Sequence, residues 1–166
     1  MNPPEVSHQV NPKTAADTLR RASQHRPRLA IVLGSGFQSV AQAMAVARAV
    51  PYAKLAGFPK PTVAGHTGQV LIGTFGSAEI MVLSGRVHYY EGHSLETVTF
   101  PIRVLAEFGI ENILLTNAAG GIHKKYCAGE FMQFTDHLNF IGDNPLRGPL
   151  AKGRERFIDL SQTYDP

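Results

Sequence analysis

The sequence lacks the features of a secreted or membrane protein. Its 166 residues include a single cysteine, Cys127, so no disulfide can form within the chain, and such usage is typical of a reducing compartment. No apolar run approaches the ~20 residues that a membrane-spanning helix needs. The polar, proline-rich first residues do not resemble a signal peptide. We therefore expect a cytoplasmic protein with no membrane partner.

Runs of like charge are also missing. Charged residues make up 17% of the chain, the net charge is +3, and the basic residues are scattered apart from short pairs such as Arg20-Arg21 and Lys124-Lys125. A mild, unclustered excess favours a small anionic ligand over a nucleic acid. With 43% apolar residues, the length suits one domain with a real core. We expect a single domain over residues 1–166, with residues 1–10 as a loose leader.

Several kinds of catalytic group are absent. No second carboxylate accompanies Glu91 to form an acid/base pair, and no His/Cys cluster has metal-ligand spacing, so we expect no metal. A Ser–His–Asp hydrolase using Ser35 and His88 stays open, although Gly34-Ser35-Gly36 lacks the spacing of a nucleophile elbow. A dinucleotide-binding module also stays open, although Ser39 stands where its third glycine belongs.

What is present is an alternation of strand-like and helix-like segments, which predicts an α/β fold. Predicted helices lie at 12–23 (capped by Asn11), about 37–47, and 94–108, the last with Pro101 in its first true turn after a kink or a loop and with Gly109 as its end. Predicted strands lie at 29–33, 69–75, 78–83, 112–116 (buried) and 130–139 (running into a loop), with an irregular stretch at 49–62 and a hairpin turn at Gly76-Ser77.

Three polar or glycine-rich loops follow predicted strands. They are Ser35 with its two glycines, the stretch from Arg86 to Glu91, and the stretch 117–121. The carboxyl ends of adjacent parallel strands meet at one edge of a sheet, so these loops should lie together. Their hydroxyl, guanidinium, imidazole, amide and backbone N–H groups all donate to an oxyanion. The sequence therefore predicts an anion site.

In order along the chain, from about residue 15 to its end, the sequence resembles the trimeric-type purine nucleoside phosphorylases. No single motif is specific, but together they are. The motifs are Gly34-Ser35-Gly36, Phe58-Pro59, Gly65-His66-Thr67-Gly68, Gly85-Arg86-Val87-His88-Tyr89-Tyr90-Glu91-Gly92, Thr99-Phe100-Pro101, Thr116-Asn117-Ala118-Ala119-Gly120-Gly121, Asp136-His137-Leu138-Asn139 and Asn144-Pro145-Leu146.

The resemblance implies a central mixed β-sheet flanked by helices, and phosphorolysis of purine (deoxy)ribonucleosides to free purine and (deoxy)ribose 1-phosphate. Inorganic phosphate would be a co-substrate and no cofactor would be needed. The family's residues carry over to this chain as follows: Ser35, His66, Arg86, His88 and the N–H of Ala118 bind phosphate, His88 and Asn117 are catalytic, Tyr90 contacts the ribose, Glu91 supports the loop, and Phe157 reaches the neighbouring subunit's pocket in a homotrimer.

The resemblance also implies that the chain is an amino-terminal portion, with the carboxyl-terminal part of the fold missing. The family's purine-binding residues lie beyond Pro166, so we expect the chain alone to be inactive. Two further readings stay open: an inactive remnant that only binds anions or forms oligomers, and a nucleosidase that uses water. The sequence departs from the family pattern at Phe37-Gln38, Ala64 and Glu130; the first departure bears on the predicted phosphate loop.

Overall fold

A computed structural model of the chain describes residues 10–60, 68–147 and 157–165. The chain divides into two compact units, residues 1–118 and residues 119–166. The regular secondary structure of the described residues lies in the first unit, and each unit is considered by itself below.

A five-stranded mixed sheet forms the centre of the first unit. Its strands are β1 (Leu29–Leu33), β2 (Ala45–Pro51), β3 (Gln69–Phe75), β4 (Ala78–Ser84) and β5 (Asn112–Leu115), in the order β2-β3-β4-β1-β5. Strand β1 is parallel to both β4 and β5, whereas β3 is antiparallel to both β2 and β4. The predicted mixed sheet and the hairpin at Gly76-Ser77 are confirmed.

Three α-helices flank the sheet: α1 (Pro12–Ala22), α2 (Gln38–Ala43) and α3 (Leu95–Phe108). The Asn11 side chain accepts from the N–H of Lys13 at 2.9 Å, which satisfies one of the unpaired donors at the start of α1. The Ser94 hydroxyl does the same for Thr97 in α3. Gly109, at φ 105°, ends α3 because it adopts the left-handed conformation at little steric cost.

The strands β3, β4 and β1 have buried side chains on both faces of the sheet, since successive side chains of a strand point to opposite faces. On one face, Val70, Ile72, Met81 and Leu83 pack in a core with side chains of α1 and α3. On the other, Leu71, Ile80 and Val82 pack with Met44 and with partly buried side chains of α2. The core therefore has two layers, and strands β4 and β1, which are packed on both faces, support the loops that follow them.

The predicted helix at 37–47 is wrong beyond Ala43. Its second half is strand β2, which pairs with β3 through a register shift between Val46 and Arg48. The alanine-rich sequence has the propensity for a helix, but the ladder of hydrogen bonds to β3 satisfies the same backbone groups and orders residues predicted to be irregular.

Three further predictions are corrected. Pro101 lies in the interior of α3, which begins at Leu95, and not in its first turn; Pro101 is buried, as are Phe100 and Val104. The predicted buried strand is β5, but its side chains are exposed because it lies at the sheet edge among the described residues. No strand forms at 130–139, which has no partner strand within the described residues.

The described parts of the second unit, 119–147 and 157–165, contain turns and bends but neither helix nor strand. Their large apolar side chains are exposed, among them Ile122, Phe131 and Phe140. Cys127 is a free, exposed thiol. Among all the described residues, no helix is both long and apolar enough to cross a membrane.

Candidate functional site

Three loops follow the carboxyl ends of the neighbouring parallel strands β4, β1 and β5. The register pairs Leu33 of β1 with Ser84 of β4, and Val32 of β1 with Leu115 of β5, so the three parallel strands end side by side. Strand β1 lies in the middle, and its loop with Ser35 is therefore flanked by the loop after β4 and the loop after β5. The loops that carry Ser35, Arg86 and Asn117 were predicted to lie together. The structure confirms this for the strand ends from which the three loops start.

The β1 and β5 loops are joined directly. The backbone N–H of Gly34 donates to Oγ1 of Thr116 at 2.9 Å, and that hydroxyl donates to the carbonyl of Val32 at 3.0 Å. A Cβ on Gly34 would lie 2.8 Å from Cα of Asn117, so only glycine allows this approach. Ser35 and Asn117 are exposed beside this junction and are available to a ligand.

Arg86 follows β4 with part of its guanidinium unsatisfied. Its Nε is buried and has no hydrogen-bond partner among the described residues, while the residue as a whole is half-buried. A buried guanidinium N–H without an acceptor is costly, and an anion with several oxygens would satisfy it. Gly85, at φ 108°, turns the chain immediately before this arginine.

His88 and Glu91 close a short turn on each other. The Glu91 carboxylate accepts from the backbone N–H of His88 at 2.6 Å, and the N–H of Glu91 donates to the His88 side chain. The ring nitrogen that accepts this bond carries no proton. The Tyr90 ring stacks on the His88 ring with centroids 4.8 Å apart. These contacts support the predicted role of Glu91 in holding the loop. Tyr90 is exposed.

Three predicted site residues remain: Ala118, His66 and Phe157. Ala118 ends the first unit, and its carbonyl accepts from the Asn117 side chain at 3.3 Å. His66 lies outside the described residues. Phe157 belongs to the second unit and its side chain is 85% exposed. The described part of the chain holds no group of three or more His, Cys, Asp or Glu arranged for a metal.

Two residues near the loops were not assigned a role from sequence. Thr116 stood inside a matched motif, but nothing in the pattern separated its hydroxyl from that of an ordinary strand end. Tyr52 lies in the stretch predicted to be irregular, yet it is buried and its hydroxyl donates to the carbonyl of Gly85 at 2.7 Å. Burial raises the pKa of Tyr52, so its hydroxyl stays protonated and able to donate.

Comparison with known proteins agrees with this geometry. A family model described as the phosphorylase superfamily matches residues 28–166. Purine nucleoside phosphorylase 1 of Bacillus subtilis is 41% identical over 152 residues, which are 91% of this chain and 56% of that protein. The chain spans about half the length of the curated relatives it matches.

Solved structures show the same likeness. A purine nucleoside phosphorylase from Schistosoma mansoni is 34% identical with a TM-score of 0.80, and the match covers 93% of this chain and 58% of that one. Isoform 2 from the same organism, solved with cytosine and ribose-1-phosphate, is 39% identical with a TM-score of 0.64 over 69% of this chain and 40% of that one. The resemblance to purine nucleoside phosphorylases noted from the motifs is confirmed.

Proposed function

Because this chain belongs to the phosphorylase superfamily, we propose that it contributes the phosphate site of a purine nucleoside phosphorylase. The reaction would be the reversible phosphorolysis of purine (deoxy)ribonucleosides, which makes the protein a pentosyltransferase. One observation carries the proposal: the parallel strands β4, β1 and β5 end side by side and are followed by loops that carry Arg86, Ser35 and Asn117. The names of the relatives support the same reaction class.

In this proposal, inorganic phosphate lies among the three loops. Ser35, Arg86, His88 and the N–H of Ala118 donate to its oxygens, and His66 is a further donor. The Nε of Arg86, which has no partner in the described part of the chain, supports the assignment, because a guanidinium can hold an oxyanion through two parallel N–H donors. His88 lies two residues after Arg86, on the short turn that its contacts with Glu91 close.

The chemistry needs no nucleophile from the protein. A phosphate oxygen forms a bond to the anomeric carbon of the sugar while the bond from that carbon to the purine nitrogen breaks. The bonding electrons leave with the purine, which then takes up a proton. The sugar passes through a cationic state, and a phosphate dianion held beside it both stabilises that charge and is aligned to attack.

The other residues complete the proposed site. Tyr90 contacts the ribose from the turn that His88 and Glu91 form, and Glu91 holds that turn. Asn117 lines the region between phosphate and sugar and acts with His88 in catalysis. Phe157 reaches the nucleoside pocket of a neighbouring subunit in a homotrimer. The protein works in the cytoplasm on small molecules, without nucleic acid or membrane partners and without a cofactor.

For the 166-residue chain alone we propose phosphate binding without appreciable phosphorylase activity. Apart from Phe157, which reaches a neighbouring subunit's pocket, the candidate residues named above serve the phosphate and the sugar, and none holds the purine in this chain's own site. The alternative, an inactive module that binds anions or forms oligomers, is favoured by one observation: the described large apolar side chains of residues 119–166 are exposed. The two readings differ in whether purine is released by a longer protein that contains this chain.

Phosphate binding is tested on the chain itself with inorganic phosphate and ³¹P NMR. We expect Arg86→Ala to weaken binding by roughly ten- to hundredfold, since hydrogen bonds to charged groups contribute about 1.5–3 kcal/mol. Arg86→Lys should recover only part of the lost phosphate binding, because lysine keeps the charge but lacks the parallel N–H donors of the guanidinium. The matched control is Arg48→Ala, which removes a charge from the exposed strand β2. If Arg48→Ala weakened phosphate binding equally, the effect of Arg86→Ala would come from the general loss of charge and not from a specific contact.

Catalysis is tested by following hypoxanthine release from inosine, with and without phosphate. We expect no phosphate-dependent release from the 166-residue chain and clear release from a longer protein that contains it. Release by the short chain would overturn its proposed inactivity. Release that does not need phosphate would favour a nucleosidase, and no release from the longer protein would favour the inactive module.

A further inference from the structure

Tyr52 connects two segments that lead into the proposed phosphate site. It begins a short 3-10 helix, Tyr52–Lys54, directly after β2, and its side chain is only 2% exposed. Its hydroxyl donates to the carbonyl of Gly85 at 2.7 Å, and its backbone N–H donates to the carbonyl of Gly68 at 2.8 Å. Gly68 in turn donates to the carbonyl of Ser84 at 3.0 Å. A single buried residue therefore holds both the end of β4 and the start of β3.

The bond to Gly85 has a specific effect on Arg86. The carbonyl of Gly85 and the N–H of Arg86 belong to one planar peptide unit, so fixing the carbonyl fixes the orientation of that plane. Gly85 is at φ 108°, a region that glycine enters freely, so the turn by itself leaves the direction of the next residue weakly determined. The Tyr52 hydroxyl supplies the missing constraint.

The ring of Tyr52 is itself held in place. It packs on Phe58 with ring centroids 4.8 Å apart, and Phe58 packs edge-on against Phe100 of α3. A phenylalanine would fill the same core space, so packing alone does not require the hydroxyl. What the hydroxyl adds is the buried hydrogen bond to the Gly85 carbonyl. Without the hydroxyl, that carbonyl would lose this donor.

We propose that Tyr52 is a positioning residue for phosphate binding: through the Gly85 carbonyl it holds the Gly85–Arg86 peptide so that the guanidinium meets the anion. This inference rests on the proposed phosphate site. It assigns Tyr52 no contact with substrate, and it predicts that the hydroxyl affects phosphate affinity more than a core hydroxyl with a structural role would.

The test compares Tyr52→Phe with wild type in the 166-residue chain, using inorganic phosphate and ³¹P NMR. We expect the phosphate dissociation constant to rise by about three- to tenfold, the equivalent of one neutral hydrogen bond. Replacing Tyr52 with p-aminophenylalanine, which keeps a donor at the same ring position, should restore binding. Near-UV circular dichroism verifies that the fold is kept, and amide exchange over residues 85–88 should accelerate in Tyr52→Phe whether or not phosphate is present.

The controls separate the possible outcomes. Thr99→Val removes a partly buried hydroxyl that donates to the Leu95 carbonyl within α3, away from the Gly85 carbonyl, and should leave phosphate affinity near that of wild type. If Arg86→Ala weakens binding as expected but Tyr52→Phe binds as wild type does, the positioning role is wrong and the phosphate site stands. If wild type does not bind phosphate, or Arg86→Ala binds it equally well, the proposed function fails and the role of Tyr52 fails with it.

Discussion

Gly34 and Thr116 hold the ends of β1 and β5 together. The Gly34 N–H donates to the Thr116 hydroxyl at 2.9 Å, and the two backbones approach so closely that a Cβ on Gly34 would collide with the Thr116 carbonyl oxygen. Because Ser35 and Asn117 are the next residues along the two loops, this junction sets the spacing between two of the proposed phosphate-binding loops.

Gly34→Ala should push these loops apart. Overpacking of this kind costs about 1–3 kcal/mol of unfolding free energy, and here the clash is with backbone atoms that have little room to move. We expect a lower urea midpoint together with weaker phosphate binding by ³¹P NMR. Gly120→Ala is the control, because a Cβ there meets nothing within 4 Å. Wild-type phosphate affinity in Gly34→Ala would show that the spacing of the two loops does not matter.

Thr116→Val should lower stability while keeping the shape of the side chain. The change leaves the partly buried N–H of Gly34 without its acceptor and removes one of the two Thr116 donors to the Val32 carbonyl, the other being the backbone N–H. A buried group left unsatisfied costs about 1–3 kcal/mol, which equilibrium unfolding in urea would measure. Thr116→Ser keeps the hydroxyl and should retain most of the stability; a loss as large as that of valine would assign the effect to packing.

Glu91→Ala should loosen the turn that carries His88 and Tyr90. The carboxylate accepts from the His88 N–H at 2.6 Å, and alanine offers no acceptor. We expect a stability loss of about 1 kcal/mol and a weaker affinity for phosphate. Glu91→Gln keeps an acceptor oxygen without the charge and should lie close to wild type. If glutamine were as harmful as alanine, the carboxylate charge would be the important feature.

Glu79 gives the protein a pH-dependent contact far from the site. Hydrogen bonds from His25 and from the backbone N–H of Arg26 lower the pKa of Glu79 below its ordinary value of 4.5. A lowered folded-state pKa means that the stabilisation is present above the ordinary value and is lost as pH falls through the folded-state value. Wild type should therefore be more stable than Glu79→Gln near neutral pH, and the gap should close on acidification.

Unfolding in urea across pH 2–7 would measure this gap. The matched control is Glu107→Gln, which removes the same charge from an exposed position on α3 whose side chain has no ion pair among the described residues. If the difference in unfolding free energy between wild type and Glu79→Gln stayed constant down to the lowest pH, the lowered pKa of Glu79 would be contradicted.

Local patterns were sufficient for much of the fold. The helix caps at Asn11 and Ser94, the hairpin at Gly76-Ser77 and the end of α3 at Gly109 were predicted correctly, because each depends on residues a few positions apart. The convergence of the three loops was also predictable, since short apolar strands followed by glycine or polar residues are typical of parallel strands that end at one edge.

Long-range pairing decided the rest. Residues after Ala43 form β2 because β3 offers a hydrogen-bonding edge that the sequence of β2 does not reveal. Strand β5 is exposed and residues 130–139 form no strand because burial and pairing depend on neighbours distant in sequence. The hydroxyl bonds of Thr116 and Tyr52 join segments 82 and 33 residues apart, and no local pattern encodes such a distance. The sequence by itself determined which chemical groups stand at the strand ends; the tertiary structure decided which buried donors hold them there.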